Sequence, residues 1–201
     1  MGRRQPDARR RLQDAALELF EINGYASTTA AAIGQHAGVT ERTFFRHFPD
    51  KRDVLVGDQQ RLQQLLTETA DAQPADADAL TVALAGLEAV AGQLEHQRDR
   101  QRRRARVVAV TPELRERDLT KMAAWTSALA GSLRRRGTPD PSAQLAAAVA
   151  VITFIGAYQQ WNQEPATQLC TLLHDQVERL HQLHRLGPGD ARPPNVSENA
   201  T

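Results

Sequence analysis

The chain has 201 residues, 25 basic and 24 acidic, with 41% hydrophobic and 24% charged side chains. That balance suits a folded globular protein, and a net charge of +1 is too small to announce a polyanion partner. The single cysteine, Cys170, excludes an internal disulfide framework and suits a reducing compartment. No apolar run approaches the roughly 20 residues of a membrane-crossing helix, and the arginine-rich start lacks the apolar core of a signal peptide. A cytoplasmic protein with no membrane partner is expected.

Apolar residues recur at helical spacing throughout, without sustained two-residue alternation, which predicts an all-α fold. The first eleven residues carry Arg3, Arg4, Arg9, Arg10 and Arg11 against Asp7 alone. Leu12, Ala15, Ala16, Leu19 and Phe20 form one stripe of a first helix that stops at Asn23-Gly24. A short second helix starts after Ser27-Thr28 and ends at Gly38. Thr40 caps a third, which ends at Pro49. Asp50 caps a fourth, expected to run to about Asp71.

After the linker Gln73-Pro74-Ala75-Asp76, helical patterning resumes with Leu80, Leu84, Leu87, Val90 and Leu94. A basic run, Arg98 to Arg106, leads to Val107, Val108 and Val110. Thr111 caps the next helix, with Pro112 in its first turn. That helix carries Leu119, Met122, Ala123 and Leu129 and ends at Gly137. Another runs from Ser142 to about Trp161, and Pro165 opens the last, which Gly187-Pro188-Gly189 stops. The expected organisation is a basic arm (1–10), a helix-turn-helix domain (11–55), a helical bundle (56–186) and a polar, disordered tail (187–201).

Residues 28–48 carry the most information. Two short helices joined at Ala37-Gly38-Val39 form a helix-turn-helix candidate, with Ile33, Val39 and Phe44 between them. The recognition helix would start with Thr40, Glu41, Arg42 and Thr43. Arginine donates to guanine, glutamate accepts from cytosine, and threonine reaches either or meets a thymine methyl. Lys51 and Arg52 open a helix, where cations oppose the macrodipole unless an anion sits there. A phosphate held by these two side chains and by backbone N–H groups would resolve that cost. Thr28 is a similar phosphate candidate, and the basic arm could follow the DNA backbone or enter the minor groove.

From Arg11 to Leu55 the chain resembles the N-terminal domain of TetR-type transcriptional regulators. The residues that carry the likeness are Ala16, Leu19, Phe20, Gly24, Tyr25, Thr28, Thr29, Ile33, Ala37-Gly38-Val39-Thr40, Thr43, Phe45, His47-Phe48-Pro49, Lys51 and Leu55. The resemblance implies a DNA-facing set of Thr28, Thr29, Thr40, Glu41, Arg42, Thr43, Phe45, His47 and Lys51. Phe45 replaces the family's usual tyrosine and so removes a hydroxyl. Gly34 would soften the second helix by roughly 1 kcal/mol relative to alanine. Arg102 to Trp161 resembles the C-terminal domain of regulators of acyl-CoA-like ligands, including the mycofactocin-associated type. It does so through Thr111-Pro112-Glu113-Leu114-Arg115, Leu133-Arg134-Arg135-Arg136-Gly137 and Trp161. This implies a homodimer formed through the last two helices and a long apolar pocket in each subunit. The implied protein is a ligand-responsive repressor on a palindromic double-stranded DNA operator. Its effector would be an apolar small molecule, for example a fatty acyl-CoA.

Several constellations keep more than one reading. The run 98–106 is a solvated helix face, a seat for a charged ligand head that includes Arg104, or a second nucleic-acid surface. Phe154, Tyr158 and Trp161 share one face, with Met122 and Trp125 on another helix. These residues, with Leu87, Arg104 and Val108, are the candidate ligand wall, or else core and dimer contacts. His174, Glu178 and His181 share a face at i, i+4 and i+7. That face is solvated, or it marks the alternative function, a helical-bundle metal-binding protein or enzyme. Cys170 has no activating partner. No catalytic set or glycine-rich phosphate loop appears, so neither enzyme activity nor a cofactor or bound metal is expected.

Overall fold

A computed structural model describes residues 7–56, 59–164 and 166–185. Most of the basic arm, the Gly57-Asp58 step, Pro165 and the tail expected at 187–201 lie outside the described residues. Helices α1 (Ala8–Asn23), α2 (Ala30–His36) and α3 (Glu41–His47) are followed by a 3-10 turn (Lys51–Leu55). Then come α4 (Gln59–Asp71), α5 (Ala79–Glu95), α6 (Arg98–Ala109), α7 (Pro112–Arg135), α8 (Asp140–Gln163) and α9 (Leu169–Arg185). The described residues contain no strand, as the all-α expectation requires.

Local chemistry sets the helix ends. Thr29, one residue past the expected cap, accepts a hydrogen bond from the Ala32 N–H at 3.1 Å and starts α2. Gly38 adopts φ +69°, a left-handed conformation that glycine takes at little cost, and so turns α2 into α3. Thr40 then accepts from the Thr43 N–H at 3.2 Å. Asp78 caps α5 by accepting from both Leu80 and Thr81 N–H. Pro112 opens α7 as expected, but Thr111 does not cap it. Its buried hydroxyl donates back to the Val107 carbonyl at 2.8 Å. The helix expected from Asp50 to Asp71 is two pieces: Asp50 caps only the five-residue 3-10 turn, and α4 begins at Gln59.

Two apolar clusters form. The first holds Leu12, Ala16, Phe20, Ile33, Phe44, Phe48 and Val54, and it extends into Val107, Val108 and Leu114 of α6 and α7. The second unites α4, α5, α7, α8 and α9 around Leu66, Leu87, Val90, Trp125, Leu129, Phe154, Trp161 and Leu173. By length and composition α8 could cross a membrane, contrary to the sequence expectation. Here it packs against α5, α7 and α9 with Ala143, Ala147, Ala150 and Ala157 fully buried. These small side chains make it a close-packed core helix.

Candidate functional site

The α2–α3 pair is held tightly. Gly34 is buried, and a Cβ there would stand 3.2 Å from the Val39 carbonyl oxygen and the Glu41 backbone nitrogen. The glycine expected to soften α2 instead lets α3 approach the α2 backbone. Phe44 anchors α3 in the core, edge-on to Phe45 at 5.3 Å and tilted against Phe48 at 5.5 Å. The opposite face of α3 is open: Glu41, Arg42, Phe45 and Arg46 are exposed. Neither Arg42 nor Arg46 makes a hydrogen bond or ion pair among the described residues. The sequence reading missed Arg46, although its i+4 spacing from Arg42 was the signal that would have placed it on this face.

The remaining predicted DNA contacts divide. Thr29 is exposed at the start of α2, and Thr40 and Thr43 share a hydrogen bond at 3.1 Å at the start of α3. Thr28 is only 2% exposed, and its hydroxyl donates to the Gly24 carbonyl at 2.8 Å. His47 is half-buried, with its Nε2 enclosed and unpartnered. Lys51 turns inward: its Nζ donates to the carbonyls of Tyr25 (2.8 Å) and Thr28 (2.9 Å) and lies 4.0 Å from the Tyr25 ring centre. Burial lowers its pKa. Arg52 donates to the Asp50 carboxylate at 2.8 and 2.9 Å, and the same carboxylate caps the turn. Asp50 is thus the side-chain anion that meets Arg52 at this N-terminus. Arg52 beside it holds the Asp50 carboxyl below the ordinary range.

The basic run of α6 forms a seam between the two clusters, and Arg100, Arg102, Arg104 and Arg106 also line the cavity described below. Arg100 donates to Asp14 at 2.8 Å, and Arg103 donates to Glu21 at 2.9 Å through Nε. Arg106 lies 3.5 Å from Glu21. At the other end, Arg98 donates to the carbonyls of Glu164 and Thr167 and lies over Trp161. Arg104 is buried. Its Nε donates to the Leu55 carbonyl at 2.5 Å, and its guanidinium pairs with Asp118 of α7. Burial works against its charge, but Asp118 and Tyr158 outweigh it and raise its pKa. Arg117 of α7 donates to Asp53 at 2.6 Å.

A partly open cavity of about 900 Å³ lies beside this seam, near the top of the range for small-molecule pockets. Arg104, Val108, Met122, Trp125, Phe154 and Tyr158 line it. Leu87 and Trp161, also proposed for the wall, lie in the bundle core and do not line the cavity. Phe154 stacks on Tyr158 at 6.1 Å and meets Trp125 edge-on at 5.8 Å. The Tyr158 hydroxyl donates to Gln101 at 3.1 Å, and burial raises its pKa. Sequence reasoning missed Lys121. It is 8% exposed, lines the cavity and places its ammonium 4.7 Å from the Trp125 ring centre.

The candidate metal face does not gather. His174 bonds to Glu88 of α5 at 2.8 Å, while His181 lies 3.9 Å from Glu178. No cluster of metal-ligating side chains occurs among the described residues. Cys170 is half-buried, and burial raises its thiol pKa.

Comparison with known proteins gives matching family models over both parts of the chain. The model for bacterial regulatory proteins of the tetR family matches residues 12–56, and the MftR C-terminal domain matches residues 75–184. The chain is 30% identical over 179 residues to a protein of Mycobacterium tuberculosis designated mycofactocin biosynthesis transcriptional regulator MftR, covering 86% of this chain and 89% of that one. Among solved structures it is similar to NalD, the secondary repressor of the MexAB-OprM multidrug efflux pump in Pseudomonas aeruginosa. The TM-score is 0.60 at 20% identity, over 87% of this chain and 96% of that one. It is also similar to Thermus thermophilus FadR, a transcriptional repressor in complex with lauroyl-CoA. Here the TM-score is 0.55 at 22% identity, over 96% and 100% of the two chains. At those identities the two structures establish the fold.

Proposed function

The chain belongs to the TetR family of bacterial regulatory proteins, and from that premise we propose that it is a ligand-responsive, homodimeric repressor of transcription acting in the cytoplasm. The α3 face that carries Glu41, Arg42, Phe45 and Arg46 enters the major groove. Two such faces meet successive grooves of a near-palindromic operator roughly 34–36 Å apart. Arg42 reads a base edge, and Thr29, Thr40 and Arg46 take the flanking phosphates. Exposed apolar side chains support dimerisation through the last two helices. Leu145 and Ile152 of α8 and Leu183 of α9 are 63–68% exposed, and the first two stand seven residues apart on one face.

The effector enters the 900 Å³ cavity. Its apolar body lies against Trp125, Phe154, Met122 and Tyr158. A fatty acyl-CoA is the first candidate, supported by the lauroyl-CoA bound to FadR, a structure of the same fold. One observation carries the coupling: Arg104 lines the cavity and holds the last residue of the 3-10 turn through the Leu55 carbonyl. A ligand that binds better when this contact is rearranged lowers DNA affinity by the same free energy, typically about 1–3 kcal/mol.

Fluorescence anisotropy on DNA from the gene's own upstream region tests the reading. Dimeric wild-type protein should bind, lauroyl-CoA should weaken that binding, and Arg42→Ala should relax specificity at one base pair by about 1–3 kcal/mol. A monomer in sedimentation, or binding indifferent to both Arg42→Ala and Arg46→Ala, would overturn it.

A further inference from the structure

The cavity wall carries an unbalanced charge. Two buried cations, Arg104 and Lys121, face one carboxylate, Asp118. Arg104 spends its guanidinium on Asp118 and on the Leu55 carbonyl. Lys121 has no hydrogen-bond or ion-pair partner among the described residues. Its ammonium lies over the Trp125 ring, whose own indole N–H is buried without a hydrogen-bond partner among the described residues. A buried ammonium that lacks an acceptor is costly to keep. Packing does not require it, since Met122, Trp125 and Leu129 of the same helix fill space with apolar groups. The rim reinforces the sign, with exposed Arg61 and Arg115 also lining the cavity.

We propose that Lys121 is the seat of an anionic group on the effector, so that the inner cavity selects small amphipathic carboxylates over wholly apolar molecules and prefers a free fatty acid to its acyl-CoA thioester, which lacks that carboxylate. This rests on the cavity being the effector site. The carboxylate accepts from the Lys121 ammonium in the space beside the Trp125 ring. The apolar body then runs along Phe154, Met122 and Ile155 toward the opening. An uncharged ligand of the same shape leaves the ammonium without an acceptor, so the discrimination comes from what the site loses as much as from what it gains.

Paired probes test this. Dodecanoate and dodecan-1-ol share a chain and differ in the charged group. Calorimetric titration of the full-length wild-type protein should show dodecanoate binding about tenfold to hundredfold more tightly. Lys121→Met should remove most of that preference, and Lys121→Arg should retain part of it. The wild-type comparison needs no variant to fold. Equal binding of both probes to wild type would overturn the anion seat and leave the cavity as an effector site. A preference for dodecanoate that survives Lys121→Met would place the seat elsewhere. Binding of neither probe would count against the seat and the cavity reading together.

Discussion

Replacing Lys121 with methionine should stabilise the ligand-free protein, by an amount that depends on pH. Burial, with Arg104 adding to it and Asp118 opposing, pushes the Lys121 pKa down to about 8 from an ordinary 10.5. The difference, about 2.5, corresponds to about 3 kcal/mol. Below pH 8 both folded and unfolded chains hold the proton, and the folded state bears that cost in full. Between pH 8 and 10.5 the folded state releases the proton while the unfolded chain keeps it, so stability rises across that window. Methionine avoids the cost but forfeits the contact of the ammonium with Trp125, about 1 kcal/mol. The variant should therefore be about 2 kcal/mol more stable than wild type near pH 7, and the gap should close toward pH 10.5. Urea denaturation followed by circular dichroism, at one protein concentration and a series of pH values, measures it. A variant less stable than wild type at neutral pH, or a gap that ignores pH, would refute the reasoning.

Lys51→Met should destabilise the head by about 2–3 kcal/mol, because two main-chain carbonyls lose their donor. Because that ammonium faces inward, the salt dependence of DNA binding should barely change, whereas Arg46→Ala should flatten the slope by about one; anisotropy titrations across ionic strength separate the two. Arg104→Met should leave lauroyl-CoA bound but reduce its effect on operator affinity to below about 0.5 kcal/mol, a small fraction of typical coupling; undiminished release in a titration with and without lauroyl-CoA would remove Arg104 from the link. Gly86→Ala should cost about 1–3 kcal/mol in thermal or urea unfolding, since its Cβ would stand 2.5 Å from the Leu66 carbonyl oxygen. Gly131→Ala meets only the tip of Arg135 at 3.6 Å and should be neutral or mildly stabilising.

Helix identity was legible in the sequence because capping and periodicity are local. Thr40, Gly38 and Pro112 mark ends that the structure keeps. Errors arose where long-range contacts decide. Thr28 and Thr29 both suit a cap, and only the packing of the preceding loop sends one hydroxyl inward. Periodicity puts Leu87 and Trp161 on buried faces but cannot tell a packed face from one that lines a cavity. The arginines of 98–106 look solvated until their carboxylate partners, more than 80 residues away for Asp14 and Glu21, are known. Lys121 gave no signal, because a lone lysine in a helix normally reaches water.

The pairing of α6 with α1 also limits how the head can travel. Asp14 and Glu21 sit two helical turns apart, about 10 Å, and are met by Arg100 at one level and by Arg103 and Arg106 at the next. Sliding one rod lengthwise past the other would break both levels at once, whereas a swing that keeps the rods in register breaks neither. For the proposed effector in the adjoining chamber, the motion that spares these pairs is a pendulum stroke of the head about α6, which would rearrange the Arg104–Leu55 and Arg117–Asp53 contacts instead and alter the reach between the reading surfaces of the proposed dimer.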